Sequence, residues 1–369
     1  LVSIENGAPI DREAIASIVS KHMHVITYYV REDNSLEFSI EPSNTIKEDF
    51  QKLLASLRPY NIVASLRKSG ESLTVLAGNI PVHKTNLKGW MPIVLFAATI
   101  GVVLYDGFLR AQTVSGQAYI KDPWEMAIIY TLSLMGILGI HELGHMIASR
   151  KHKVKATWPF FIPGFPGFSI SPPTFGAIIF SRAHMPNRDI LFDIGFAGPV
   201  AGLIVTVIVS VYGAMLSPLI PIEQANELMS QSQLIRIYPS LLMLGSYVMA
   251  GKMVEGFIPL MSPVSFAAWI GFLITFLNLL PAWQLDGGHI ARAAIGQKWH
   301  RITTFASIIV LAGLGYVMMA LLIMIMSARA PDVKPLDDVS PLSKKRKIIF
   351  GAALFLAFLC APLPFSINF

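Results

Sequence analysis

WEMAIIYTLSLMGILGIHELGHMIAS, residues Trp124–Ser149, is the stretch that decides how this chain folds. It is a predominantly apolar run of the length a helix needs to cross a bilayer, about 20 residues. Near its C-terminal end stand His141, Glu142 and His145. On a helix, two histidines at i and i+4 lie about 40° apart on one face, so both imidazoles reach one ion while the intervening glutamate lies beside it. Ionisable groups are costly at membrane depth and are functional there by default. A helix whose polar residues are simply solvated does not account for the apolar flank Met135–Ile140. The stretch therefore points to metal chemistry inside a membrane, and the spacing suits zinc.

The rest of the chain fits that setting. Of 369 residues, 53% are hydrophobic and only 14% charged, and the apolar content is gathered into long blocks. We expect an α-helical polytopic membrane protein of about six transmembrane helices, from the blocks Trp90–Leu109, Trp124–Ser149, Ile190–Leu216, Val264–Leu280, Ile302–Met326 and Ile348–Pro362. Thr157–Phe180 is apolar too, but Pro159, Pro163, Pro166, Pro172 and Pro173, with Gly164, Gly167 and Gly176, exclude a straight helix. It reads as a re-entrant or interfacial element, tolerated at membrane depth only where protein or a wet cavity surrounds it. In Ser217–Ser262 the apolar part, Ile237–Gly251, is short and flanked by Arg236 and Lys252, so we expect a lid or interfacial helix.

Residues 1–88 carry regular charges and no span, and form an expected water-facing α+β domain, with 89–369 as the membrane-embedded part. Helical periodicity at Asp11–Met23 and Ile46–Leu57 alternates with strand-like runs Val25–Val30, Leu36–Ile40, Asn61–Arg67 and Ser72–Leu76. Glu5, Asp11, Arg12 and Glu13 interrupt the start, which does not read as a cleaved signal peptide. His22, His24 and the distant His83 read as surface histidines rather than a second metal site. The net charge of +6 comes from basic residues beside apolar blocks, as at Arg150, Lys151, Lys153 and Lys155, a pattern of membrane orientation and not of nucleic-acid binding. Cys360 is the sole cysteine, so no intrachain disulfide forms.

Catalytic zinc usually has three protein ligands and one open position, so a third ligand is needed. The fourth block ends in Asn278, Pro281, Leu285, Asp286, Gly287, Gly288 and His289. Asp286 is the candidate, because Pro281 interrupts the helix and the glycine pair lets backbone approach closely; the same letters also read as a helix end and a turn. With one crossing between them, the ends of the second and fourth blocks arrive on the same side. A full crossing within Ser217–Ser262 would put Asp286 on the opposite face.

At this point the residues resemble the site-2 proteases, intramembrane zinc peptidases with H-E-x-x-H on one helix and N-x-x-P-x-x-x-L-D-G on another. Here these read His141-Glu142-Leu143-Gly144-His145 and Asn278 through Gly287. Phe175-Gly176-Ala177-Ile178-Ile179 and the run from Asp193 to Gly202 are similar to the archaeal and plastid branch, and the resemblance covers about residues 90–300. It implies that His141, His145 and Asp286 bind one zinc per chain, that Glu142 is the general base, and that the substrate is a transmembrane protein in the lipid bilayer. Asn278 resembles the motif asparagine, a donor to the developing oxyanion or a packing residue. Phe175–Arg182 is expected to offer an edge to an unwound substrate strand, or to be a plain hydrophobic plug. Gly198 and Gly202 read as a small-xxx-small packing pair.

Placing Arg150–Lys155 in the cytoplasm puts the catalytic helix ends and the first domain there, in a multi-pass cell-membrane protein. Under six crossings, Lys344, Lys345, Arg346 and Lys347 then fall on the wrong side. The Ser217–Ser262 insert is too short for the PDZ domain that some relatives carry. Rival readings are a metal-binding transporter, in which Glu142 relays protons, and an inactive membrane scaffold.

Overall fold

The computed structural model describes residues 11–70, 72–78, 88–113, 115–167, 172–180, 183–231, 237–329 and 333–363. His83 and Arg182 therefore lie outside the described residues. The N-terminal region runs α1 (Arg12–His22), β1 (Val25–Val30), β2 (Leu36–Ile40), α2 (Ile46–Leu57), β3 (Val63–Ser69) and β4 (Ser72–Gly78). The Asp11 side chain caps α1 by accepting the Arg12 N–H at 2.6 Å. Alternation in β2 and β4 sends Leu36, Phe38, Ile40, Leu73, Val75 and Ala77 to one face. Phe50, Leu53 and Leu57 of α2 bury against the same core. All neighbours in the sheet, ordered β1-β2-β4-β3, are antiparallel. The expected element order is present, with β3 shifted two residues later than the sequence suggested.

The remainder is mostly helical: α3 (Met91–Ala111), α4 (Pro123–Lys151), the strands β5 (Phe160–Pro163) and β6 (Thr174–Ile178), α5 (Arg188–Met215), β7 (Leu219–Pro221), α6 (Ile222–Ser230), α7 (Leu241–Met249), β8 (Phe257–Pro259), α8 (Pro263–Leu279), α9 (Asp286–Gly313), α10 (Val317–Arg329) and α11 (Lys344–Cys360). Among the described residues three helices, α3, α4 and α5, are long and apolar enough to cross a membrane. Helix α8, at 17 residues, is shorter and lies in the middle of the bundle, with buried residues all round its first two turns. That explains a sequence that is apolar on every face. The proline-rich stretch is a two-stranded antiparallel element, β5 with β6, tucked against α3. Its Phe161 enters the main core and stacks obliquely on Phe96 of α3. The insert after α5 forms the β7–β8 pair and two nine-residue helices, each too short to cross.

The fifth apolar block is not one crossing. Gly315, at φ +86°, breaks it into the end of α9 and a separate α10 that packs back along it. A second interruption at Gly296, at φ +76°, bends α9 so that His300 and Thr304 return to Trp283. The block thus enters and leaves at one end of the bundle, which removes the conflict over Lys344–Lys347. Arg346 binds Asp193 of α5 through two 2.6 Å contacts, and the same carboxylate meets His152, just past α4, at 2.9 Å. Basic residues after α4 and at the start of α11 therefore share one end of the molecule. The insert lies at the other, where Lys252 reaches Tyr119 of the α3–α4 turn and Ser240 bridges Pro362.

The N-terminal region sits at the basic end. Leu336 is buried in its core, and the Leu66 N–H donates to the Leu336 carbonyl at 2.8 Å. Lys47 pairs with Asp189, in the first turn of α5, at 2.7 Å. Asp338, two residues beyond Leu336, receives Arg188 and Arg292. The contiguous segment Leu336–Asp338 is thus a strap between the α+β region and the helices.

Candidate metal centre

His141 and His145 project from the last turns of α4, and Asp286 opens α9 directly after the Pro281 turn. The Nε2 atoms of the two histidines are 3.2 Å apart, and Asp286 Oδ2 lies 3.3 Å from one and 3.2 Å from the other. Among the described residues this is the one such group of three metal-ligating side chains. A tetrahedral zinc with bonds of 2.0–2.1 Å separates its donors by about 3.3 Å. The near-equal triangle therefore has the size of one face of that tetrahedron, and the donor set, two imidazoles and a carboxylate, has the chemistry zinc takes.

Surrounding backbone fixes the histidines. His145 Nδ1 lies 2.7 Å from the Ile194 carbonyl; with the proton on Nδ1 it donates there and leaves the Nε2 lone pair for a metal. Gly198 and Gly202 of α5 lie against the same rings. A methyl at Gly198 would overlap His145 Nε2, and one at Gly202 would come within 3.1 Å of His141 Nδ1. The small-residue pair does serve close helix packing, and the partners packed there are the rings of the two candidate metal ligands. The turn that aims Asp286 is held from α9: Thr304 Oγ1 accepts the Trp283 N–H at 3.1 Å, and His300 Nε2 lies 3.0 Å from the Trp283 carbonyl. Trp283 itself has φ +43°, unusual for a bulky residue.

A cavity of about 1240 Å³ opens onto the centre, lined by His141, Glu142, His145, Asn278 and Asp286 together. Glu142 is only 8% exposed yet faces this space. The Asn278 amide nitrogen is 3.3 Å from His141 Nε2, so Asn278 lies beside the donors. Of the expected substrate strand, Ala177, Ile178 and Ile179 line the cavity, whereas Phe175 and Gly176 do not. Phe175 is exposed and meets Phe165 edge-on; Gly176 has φ +83°. The sequence reading missed the N-terminal contribution: Ser35, Arg67 and Ala77 also line the cavity, as does Lys334. No local motif marks such residues, because their role comes from docking across the chain.

Helices long enough to span a membrane, one of them carrying two histidines and a buried glutamate beside an aspartate from α9, match the class of membrane-embedded metallopeptidases. The chain belongs to peptidase family M50, whose model matches residues 129–324. It is 32% identical over 261 residues to the probable zinc metalloprotease EGY1, chloroplastic, of Arabidopsis thaliana, covering 64% of this chain and 45% of that protein. The EGY1 of Oryza sativa subsp. japonica is 30% identical over 251 residues, covering 64% and 40%. The EGY2 of Arabidopsis thaliana is 30% identical over 254 residues, covering 67% and 43%. The chain thus spans less than half the length of these relatives. No solved structure matches it.

Proposed function

We propose that this chain is an intramembrane zinc metallopeptidase that hydrolyses a peptide bond within or near a transmembrane segment of a protein substrate. The observation that carries the reading is the donor triangle of His141, His145 and Asp286, with edges of 3.2–3.3 Å, assembled from two helices beside a buried glutamate. These three residues would hold one zinc per chain. When bound, zinc supplies Lewis acidity that makes water nucleophilic near neutral pH and polarises the scissile carbonyl.

The chain's own groups carry the rest. The Glu142 carboxylate takes a proton from the attacking water and passes it to the leaving amine. The Asn278 amide donates to the oxygen that gains negative charge. A membrane helix has its amides paired internally, so the substrate must unwind locally. Ala177–Ile179, at the end of a two-stranded sheet, offers backbone for the freed strand to pair with. Residues 1–88, with Leu336 packed into their core, form the extramembrane domain, and the rest of 89–369 the membrane-embedded protease domain. The basic residues after α4 and at the start of α11 put the catalytic end of the bundle on the cytoplasmic side of a cell membrane.

Replacing Glu142→Gln tests this reading. Purified E142Q is expected to keep one zinc per chain and to cleave a model membrane-spanning substrate about 10²–10⁴-fold more slowly. Undiminished cleavage by E142Q, or zinc-dependent ion flux through the unaltered chain without any cleavage, would contradict it.

A further inference from the structure

The cavity over the metal centre, at about 1240 Å³, exceeds the roughly 300–1,000 Å³ typical of small-molecule pockets and has room for a polypeptide segment. Its inner wall is the metal centre, and part of its outer wall is the α+β region. Arg67 of β3 stands on that outer wall. Its Nη1, with two N–H groups shared among three acceptors, lies 2.7–2.9 Å from the carbonyls of Leu66, Pro335 and Leu336. Nε and Nη2 have no protein acceptor among the described residues, and neither atom is sealed from solvent.

The nearby carboxylates make no direct contact with Arg67. Asp338 is taken by Arg188 and Arg292, and Asp33 accepts from Ser35; Asp337 Oδ1 accepts the N–H groups of Val339 and Ser340, and its buried Oδ2 has no hydrogen-bond partner among the described residues, so Asp337 and Asp338 act on Arg67 only through space. No carboxylate among the described residues lies within ion-pairing distance of Arg67. Lys334 adds a second cation to the same wall. A half-buried guanidinium that lines a peptide-sized cavity, with Nη1 engaged and Nε and Nη2 without a protein acceptor among the described residues, can receive a carboxylate through two parallel hydrogen bonds.

We propose that Arg67 is a substrate-specificity residue: the N-terminal region forms part of the substrate-binding surface and selects polypeptides with an acidic side chain in the extramembrane flank beside the cleaved segment. The proposal rests on the peptidase reading for the identity of its ligand. Charge-assisted pairing at a partly desolvated site corresponds to a preference of roughly tenfold.

The test uses the full chain carrying E142Q, so that binding is measured without turnover. Two C-terminally amidated membrane-span peptides differ only in a three-residue flank, Glu-rich or Gln-rich. The Glu-rich peptide is expected to bind about tenfold more tightly, and the R67Q change made in the same chain is expected to bring the ratio to about one. Equal binding of both peptides, or a preference that survives R67Q, overturns the proposal. Because R67Q also removes bonds to the 335–336 backbone, a second measurement leaves Arg67 in place: the tenfold ratio must shrink as salt rises from 0.05 to 0.5 M. A salt-independent ratio also overturns it. Cleavage by the unaltered chain separates the two readings. Equal binding with efficient cleavage removes the Arg67 subsite and keeps the peptidase, whereas selective binding without cleavage keeps the subsite and removes the peptidase.

Discussion

Gly198 and Gly202 place the tightest constraint on the candidate donor cluster, because a side chain at either position would meet the ring of His145 or His141. Gly198→Ala is expected to lower zinc stoichiometry at least tenfold while the helices still form, as elemental analysis beside circular dichroism would record. Gly202→Ala, where the added carbon stands 3.0–3.1 Å from His141, is expected to retain more metal, because a small ring shift relieves it. Unchanged zinc in G198A would mean that the rings sit elsewhere. The donors themselves were legible in the sequence, since helical geometry alone puts His141 and His145 on one face. Asp286 was legible as a candidate from the Pro281 break, the glycine pair and the shared side of the two block ends, with the motif pair added to that. The supports were not, because the Ile194 carbonyl and the two glycines act through contacts between helices, which no local periodicity records.

Helix counting from hydropathy worked where the apolar run was unbroken, as in α3, α4 and α5, and failed where glycine reversed it. A window across Ile302–Met326 sees composition but not the positive φ at Gly315, so a helical hairpin looks like one span. The strap between α10 and α11 was invisible for a related reason: Leu336 and Asp338 sit in a polar stretch whose partners, Leu66, Arg188 and Arg292, are all distant in the sequence. Burial acts against the Asp338 carboxylate, but Arg292 and Arg188 more than offset it and hold its pKa below the ordinary carboxylate range. A depressed carboxylate pKa contributes stability that is present above the unfolded value, about 3.9, and is lost as pH falls below it toward the folded value. Hydrogen exchange in Leu336–Ser340 is therefore expected to accelerate below about pH 4. Asp338→Asn is expected to give the same loosening at neutral pH, at about 3 kcal/mol, since Arg292 is 1% exposed. Protection that does not change with either treatment would show that these ion pairs do not hold the strap.

Across the whole molecule, the network through Asp189 and Asp193 gathers the N-terminal region, the end of α4 and the start of α11 at one end of the bundle. Cys360 is 1% exposed and leaves a quiet background for thiol labelling. Single cysteines replacing exposed Lys151 and Lys345 are expected to react with an impermeant reagent from the same side of a membrane vesicle, and one replacing Val254 from the other. Labelling of positions 151 and 345 from opposite sides would restore the six-crossing count. All of this arrangement serves to bring two histidines and one aspartate together from separate helices. Zinc-edge X-ray absorption of the purified chain tests that most directly: one zinc per chain, with two imidazole nitrogens and oxygen at about 2.0–2.1 Å, and a shell that changes in Asp286→Asn. A shell that is unaltered by the Asp286 substitution, or that lacks imidazole, would contradict the account.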